Sequence, residues 1–229
     1  MEPIIIDPTA KQAAFKTFYH YQPFCAEHLV TLLRDKKLYF SDPFTFNDPW
    51  DCKPIFRDQR LTALQGILAE SVRKVRIYCL SVLGDSTLMW SHYSQNHRGI
   101  CLEFDKNNPL IQKARPVRYR DEYPEWPDIP NVLAELFLAK AMDWSYEREF
   151  RLFGSQLDGP AKLDSEFVRL PDGALSAIIL GCQSDHHAEV HELVERFAPG
   201  LPIKQMVRIP HRYKLTIESW QPGQPTQQV

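Results

Sequence analysis

Hydrophobic and polar positions follow two different periods along the chain, and these periods mark out predicted strands and helices. Strict alternation indicates a strand, most clearly at 100–105, where Ile100, Leu102 and Phe104 share one face. Apolar residues at every third or fourth position indicate a helix. The other predicted strands are 15–22, 38–41, 75–82, 116–120, 147–153, 167–171, 175–181, 203–210 and 213–220, and the predicted helices are 25–37, 61–74, 86–97, 132–144 and 185–198.

These elements predict an α+β fold. About eight to ten short strands mix with four or five helices, without the regular strand–helix–strand order of a Rossmann-type fold. We therefore expect a single domain over residues 1–220, built on a mixed, mostly antiparallel sheet with several flanking helices. Residues 221–229 have the composition of a disordered tail.

The predicted strand 147–153 carries the most informative charge pattern. A period of two places Glu147, Glu149 and Arg151 on one face. Two carboxylates on one face repel each other, so one keeps a raised pKa unless a cation intervenes, and Arg151 is the nearest candidate cation. The same pattern is also typical of a structural ion-pair ladder on a half-exposed strand.

Lys140, on the preceding predicted helix, affects the choice between a functional role and a structural ion-pair ladder for this strand. Leu136 and Phe137 belong to an apolar stripe, and Lys140 occupies its next position. An inward lysine either extends its ammonium group to the surface or meets a buried acid, and Glu147 and Glu149 follow closely enough to be that acid. The sequence therefore predicts Lys140 buried against one of the two glutamates. Such a cluster costs desolvation energy and is weak evidence for stability, so a functional role and a structural role are equally open for it.

The predicted helix 86–97 brings a second set of polar side chains together. Met89, His92, Tyr93 and Asn96 share one face by helical spacing. Tyrosine stacks on flat rings, and histidine binds phosphate or moves protons, so Tyr93 and His92 are candidates for a pocket wall. The plainer interpretation is a core aromatic residue beside a surface histidine.

The first predicted strand is rich in aromatic residues. Tyr19 and Tyr21 share one face of it, and His20 faces the opposite way. Aromatic residues on a strand most often belong to the core.

The stretch FTFNDPWD, residues 44–51, combines turn-forming residues with large aromatic ones. A simple turn would have Asn47 and Asp48 bonded to their own backbone. The surrounding aromatic residues favour a pocket wall instead, with Trp50 as its lid. We expect a structural role for Asp51, and both interpretations stay open for Asn47 and Asp48.

Composition and charge narrow the class of protein. A formal net charge of −2 with scattered Lys and Arg argues against nucleic-acid binding through bulk positive charge. Five widely spaced cysteines without a CxxC pair are typical of a reduced, cytoplasmic protein. Neither a signal peptide nor an apolar run of transmembrane length is present in the sequence, so we expect no membrane partner.

Common metal and cofactor motifs are missing from the sequence. It contains no GxGxxG, GxxxxGK[ST] or GxSxG motif. His187 and His191 have a spacing that can hold zinc, but they lie in a polar stretch without an HExxH motif. We therefore expect a protein without a bound metal.

Four stretches, taken in order, resemble the bacterial domain-of-unknown-function family DUF2971 over about residues 15–155. They are FYHYQPF, LYFSDPFTFNDPWD, CLSVLGDSTLMWSHYSQNHRGICLEFD and KAMDWSYEREFRLF. Two positions depart from the family pattern. Residues 19–22 are Tyr-His-Tyr-Gln where members carry Tyr-Lys-Tyr-Arg, and Trp50 stands where Phe is common.

A more distant resemblance is to ADP-ribosyltransferases, which carry a His or Arg on the first strand, a Tyr or Ser in the middle and a Glu late in the domain, often in a Glu-x-Glu pair. Residues of these types follow the same order here: His20 or Tyr21, then Tyr93 with Ser91, then Glu147-x-Glu149. The resemblance implies an ADP-ribosyltransferase-like fold with NAD as substrate.

The same resemblance implies a role for each of these residues. Glu149 would stabilise the oxocarbenium-like state formed as the glycosidic bond of NAD breaks. Tyr93 would stack on the nicotinamide ring, and His20 would hold the adenosine ribose or a phosphate. Arg151 and Lys140 would set the charge state of the glutamate pair.

Three functions are consistent with this sequence. The first is an NAD-consuming transferase or hydrolase, in a toxin or phage-defence role. The second is a non-catalytic module that binds a nucleotide-type ligand or a partner, which predicts a pocket without an acid pair at its floor. The third is a metal-dependent phosphodiesterase, which needs Asp48, Asp51, Glu103 and Glu149 to converge within about 4 Å of a divalent ion.

Overall fold

A computed structural model describes residues 15–55, 62–123, 132–154 and 161–223. The strands are β1 Thr17–Gln22, β2 Lys37–Tyr39, β3 Arg76–Ser81, β4 Ile100–Asp105, β5 Arg115–Pro116, β6 Arg118–Arg120, β7 Ala139–Ala141, β8 Glu149–Gly154, β9 Leu163–Asp164, β10 Phe167–Arg169, β11 Leu175–Leu180, β12 Ile203–Arg208 and β13 Leu215–Ser219. The helices are α1 Ala26–Asp35, α2 Thr62–Arg73, α3 Thr87–Tyr93, α4 Val132–Leu138 and α5 His187–Phe197.

Eight strands form one mixed sheet in the order β13-β12-β11-β4-β1-β3-β8-β5. Its neighbouring strands pair antiparallel except β11 and β12, which run parallel. Two small sheets, β2-β10-β9 and the parallel pair β6-β7, lie beside it. The predicted α+β class with a mixed, mostly antiparallel sheet is therefore confirmed.

Helices pack on both faces of the large sheet. On one face, buried leucines of α1 and valines of α5 join apolar residues of β1, β3, β4, β8 and β11 in the largest core cluster. On the other face, α3 packs near β1 and β4, while α2, α4 and the turn that contains Cys52 pack near β3. The strands β3 and β8 are adjacent, so their second face lies under this turn and α4.

The predicted helix 86–97 is shorter in the structure. Ser86 caps it, because its Oγ accepts a hydrogen bond from the Met89 amide at 3.4 Å. The helix ends at Tyr93, and the backbone of residues 95–97 is left-handed. Asn96 therefore does not share the helical face that the sequence predicted.

The predicted helix 132–144 differs more from the structure. Its helical part ends at Leu138, because Ala139–Ala141 form β7 and pair with β6. A 3-10 helix, Met142–Glu147, follows, and β8 begins only at Glu149. Pairing with a strand outside the segment overrode its helical periodicity.

Within the described ranges, no helix is long and apolar enough to cross a membrane. The predicted tail at 221–229 is described only as far as Gly223.

Candidate functional site

Five charged side chains are buried together beneath the turn at residues 46–53, on the β3–β8 part of the sheet. They are Asp51, Lys140, Glu147, Glu149 and Arg151, and each exposes at most 8% of its surface. We call them the charge cluster. Three carboxylates and two cations leave one negative charge in excess if all five are ionised.

Arg151 joins the two ends of the cluster. Its Nε and Nη2 donate to the two Glu149 oxygens at 2.7 and 2.9 Å, and its Nη1 and Nη2 donate to the two Asp51 oxygens at 2.9 and 2.6 Å. Nη1 also donates to the Phe137 carbonyl, near the C-terminal end of α4, at 2.9 Å. Such a planar guanidinium between two carboxylates is a strong, directional contact, and it confirms the structural role expected of Asp51.

Lys140 lies among all three carboxylates. Its Nζ is 2.5 Å from Glu147 Oε2, 3.3 Å from Glu149 Oε2 and 3.7 Å from Asp51 Oδ2. The predicted burial of Lys140 against the glutamates is confirmed. The predicted secondary structure was wrong, because Lys140 lies on the strand β7 and not on a continuous helix.

Glu147 reaches the cluster from outside the strand. It ends the 3-10 helix, and Arg148 after it has a left-handed backbone with φ of 44°. The prediction that Glu147 shares a strand face with Glu149 by a period of two is therefore wrong. The two side chains meet because the turn at Arg148 brings both to Lys140.

The two glutamates differ in their protonation. Burial alone would raise the pKa of Glu149, but Arg151 and then Lys140 outweigh it and lower the pKa to about 2. Burial raises the pKa of Glu147, the charge of Glu149 adds to that effect, and Lys140 only partly opposes it. Of the two glutamates, Glu147 is therefore the one whose environment favours protonation more.

Tyr93 connects this acid to the surface. Its hydroxyl donates to Glu147 Oε1 at 2.5 Å, and burial together with the nearby carboxylate raises the pKa of the phenol. The side chain of Asn47 also bonds to Tyr93. His92, at the rim, has its Nδ1 2.9 Å from the Tyr146 hydroxyl. The structure therefore brings Tyr93, His92 and Asn47 to one edge of the charge cluster.

Three other candidate residues lie away from the cluster. His20 lies on the opposite face of the sheet from Glu149, since Tyr19 is paired with Ser81 and Ser81 with Glu149. Its Nδ1 donates to the Cys79 carbonyl at 2.7 Å, and its ring stacks on Tyr78 at 4.1 Å. The structure therefore does not bring His20 together with the glutamates.

Tyr21 and Ser91 do not complete the site either. Tyr21 is buried, its ring packs edge-on against Trp90, and its hydroxyl donates to the Leu83 carbonyl at 2.6 Å. Ser91 precedes Tyr93 by two positions on α3, so it projects from nearly the opposite side of that helix. Neither residue is placed to share a ligand with the glutamates.

The structure supports both interpretations of the turn at residues 46–53. Lys53 Nζ donates to the carbonyls of Asp48 at 2.8 Å, Phe46 at 3.3 Å and Asp51 at 3.4 Å, which holds the turn closed. Asp48 Oδ1 accepts from the Trp50 amide at 2.8 Å, as a simple turn requires. Asp48 and Trp50 also line a cleft, so this segment is both a turn and a wall.

The cleft, of about 240 Å³, lies between this turn, the segment 120–123 and the α4–β7 segment. Lys140 and Asp51 form the part of its lining that belongs to the charge cluster, whereas Glu147 and Glu149 do not line it. Trp50 is 51% exposed, and its ring centroid lies 5.5 Å from that of Tyr123. A small ligand in the cleft would touch Lys140 and Asp51 but not the glutamate pair.

The acids required by the phosphodiesterase hypothesis do not converge. Glu103 binds Lys204 Nζ at 2.9 and 2.7 Å and lies on β4, three strands from Glu149, which corresponds to about 14 Å. No group of three or more His, Cys, Asp and Glu among the described residues is arranged to hold a metal ion. His187 and His191 instead contact the ring of Trp220.

Sequence reasoning missed several residues around the cluster. Ser81 Oγ donates to the Glu147 carbonyl at 2.6 Å, and the Tyr119 hydroxyl accepts from the Glu149 amide at 2.8 Å. Glu135, on the cleft wall, pairs with Arg118 at 2.6 Å and Arg120 at 2.8 Å. These contacts join strands and helices far apart in the chain, and no local pattern marks them.

Comparison with known proteins gives one match. The model of the family described as "Protein of unknown function (DUF2971)" matches residues 89–152, which confirms the resemblance over that segment. The matched segment contains Tyr93 and every member of the charge cluster except Asp51. No curated protein and no solved structure matches the chain.

Proposed function

We propose that the protein is a small-ligand-binding module whose ligand occupies the cleft beside Trp50. The observation that carries this proposal is the composition of the cleft lining, which includes Lys140 and Asp51 but neither Glu147 nor Glu149. The binding-module hypothesis is supported because the Glu147–Glu149 pair does not form the floor of this cleft. The charge cluster then acts as a rigid support that fixes the positions of Lys140 and Asp51.

The cleft has features common to ligand sites. Its aromatic wall, Trp50 and Tyr123, offers flat apolar surface, and charged groups converge from three segments of chain. The ligand expected from the sequence was nucleotide-like. Acidic residues outnumber basic ones in the lining, which disfavours phosphate groups inside the cleft.

A thermal-shift screen tests the binding module. The full chain would be tested with amines, sugars and nucleotides, including NAD and ADP-ribose. We expect one chemical class to raise the melting temperature, since a ligand at 100 times its Kd adds about 2.7 kcal/mol. Ala139→Trp, which fills the cleft from β7, should abolish the shift. No shift with any class, or a shift that survives in Ala139→Trp, would contradict the proposal.

A second candidate, an NAD-consuming enzyme, is supported by the difference in pKa between Glu147 and Glu149. Carboxyl groups whose environments push their pKa values apart are the usual acid–base pair of a catalytic site. Here Glu149 is held ionised by Arg151, so Glu147 with Tyr93 would be the reacting pair. As the C1′–N bond breaks, nicotinamide leaves with the electron pair. Water or an acceptor hydroxyl then bonds to C1′ and gives its proton to the carboxylate form of Glu147, which its raised pKa makes the stronger base of the two glutamates.

Nicotinamide release from NAD tests this candidate, with and without cell extract as a source of acceptor. Glu147→Gln should lower turnover about a thousandfold, or ~4 kcal/mol. Tyr213→Phe, at a fully exposed tyrosine remote from the cluster, is the matched control and should retain wild-type turnover. Absence of release by the wild type in every extract would exclude this candidate and leave the binding module.

A further inference from the structure

The charge of the cleft lining is strongly asymmetric. Five acids line it, namely Asp48, Asp51, Asp121, Glu122 and Glu135, against two cations, Arg120 and Lys140. Both cations are already engaged, Arg120 with Glu135 at 2.8 Å and Lys140 with the cluster. Asp51 is neutralised by Arg151 and Glu135 by its two arginines. The negative charge that remains is carried by Asp48, Asp121 and Glu122.

Asp48 differs from the other two because it is buried. It is 2% exposed, and only its Oδ1 has a donor, the Trp50 amide. Its Oδ2 is buried without a hydrogen-bond partner. A carboxylate oxygen left in that condition is costly unless a donor or a cation reaches it. Asp48 is one of the residues that line the cleft, so a ligand donor that displaces the atoms covering Oδ2 would satisfy it.

The aromatic wall of the cleft places a second requirement on the ligand. Trp50 and Tyr123 lie side by side on the cleft, and half of the Trp50 surface is open. Tyr123 is held in place because its hydroxyl donates to the Lys53 carbonyl and accepts from the Ile55 amide. Aromatic faces attract organic cations and pack against their methylene groups. An ion without carbon would use the carboxylates but leave this wall without a contact.

We propose that the cleft binds an organic cation, a protonated amine or a guanidinium group on a short aliphatic chain, with Asp48 Oδ2 as its acceptor and Trp50 against its stem. The proposal rests on the small-ligand function above and specifies its ligand class. The same chemistry is carried by free polyamines and by the Lys or Arg side chain of another protein. The test therefore needs one probe for each source.

Calorimetric titration of the full chain with spermidine, agmatine and N-acetyl-arginine amide tests the proposal. Magnesium chloride serves as the inorganic cation and ADP-ribose as the anionic probe. We expect at least one organic cation to bind with one site per chain, and more tightly than magnesium. Binding of the blocked arginine alone would identify a protein side chain as the source, and binding of spermidine or agmatine would identify a free amine.

Two aspartate variants make the assignment specific. Asp48→Asn keeps the acceptor for the Trp50 amide, so the fold should survive, and it should weaken binding at least tenfold. Asp172→Asn makes the same charge change at an exposed position outside the cleft and should change affinity less than twofold. Trp50→Ala, at a half-exposed side chain, should weaken binding severalfold and gives an independent reading if Asp48→Asn does not fold.

Three results would overturn the cation site. They are no binding of any amine, equal weakening by both aspartate variants, and magnesium binding as tight as that of the amines. If ADP-ribose binds and Trp50→Ala or Ala139→Trp abolishes that binding, the ligand-binding function stands and only the ligand class is wrong. If amine binding is present but unaffected by Ala139→Trp, both the cleft and this inference fail.

Discussion

The two faces of the large sheet bury polar groups in opposite ways. On the face covered by α1 and α5, His20 stacks on Tyr78 and makes a hydrogen bond to the Cys79 carbonyl, and desolvation lowers its pKa to about 4, which favours the neutral form. On the other face, near β3 and β8, five charges are buried together and satisfy one another. An isolated polar group is accommodated by giving up its charge, whereas a group with partners keeps it.

The largest expected effect comes from removing a cation from the charge cluster. Lys140→Met leaves Glu147, Glu149 and Asp51 without their shared ammonium and should lower the free energy of unfolding by about 3–5 kcal/mol. Chemical denaturation measures it. Lys204→Met is the matched control, because Lys204 pairs with Glu103 in a partly exposed position and should cost about 1 kcal/mol or less. Equal losses in both variants would mean that burial does not distinguish the two lysines.

The two glutamates should respond differently to the same substitution. Glu149→Gln removes an ionised group held by Arg151 and should cost about 3 kcal/mol, since that arginine is left partly unpaired. Glu147→Gln removes a group whose environment already favours the neutral form and should cost less than about 1 kcal/mol. Urea denaturation of both variants gives the comparison. A larger loss in Glu147→Gln would reverse the assignment of charge within the pair.

Acid should destabilise the protein through Glu149. Its folded pKa of about 2 lies below its unfolded value of about 4.3, so it stabilises the fold above pH 4.3, and this stabilisation is lost as the pH falls towards 2. We expect a loss of about 3 kcal/mol, since each pKa unit corresponds to about 1.4 kcal/mol. Protonation of Glu147, whose folded pKa is raised, acts in the opposite sense but at higher pH, before this loss begins. Unfolding curves at several pH values measure it. An unchanged slope in Glu149→Gln would assign the effect to other carboxyls.

The smallest effect concerns His20, on the apolar face. Its folded pKa of about 4 lies below the unfolded value of about 6.5, so stability is lost as the pH falls from 6.5 to 4. His20→Phe keeps the contact with Tyr78 and removes the titration. The variant should lack about 1–2 kcal/mol of pH dependence in that range. If the wild type and the variant have the same slope, His20 is protonated without cost and the contrast between the two faces is smaller than the structure indicates.

Local pattern predicted much of the fold and part of the candidate site. The strand predicted at 100–105 and the helix predicted at 25–37 both appear in the structure, the helix with the bounds Ala26–Asp35. The contact of Lys140 with Glu147 was also predicted, since the residues are seven positions apart. That prediction reached the right contact through a wrong secondary structure, because burial of the lysine was required by its apolar neighbours whether β7 or a helix carried it.

Tertiary contacts decided the rest. The sequence by itself determined where apolar and polar side chains alternate, and hence the α+β class, most elements and the proximity of Lys140 to the glutamates. Only the folded chain brings Asp51 to Arg151, 100 positions away, and Asp48 to the cleft wall opposite α4. The physical reason is the distance along the chain over which each kind of interaction acts. Hydrophobic periodicity acts within one element, whereas Asp51, which shares Arg151 with Glu149, and the walls of the cleft come from segments that meet only when the sheet is assembled.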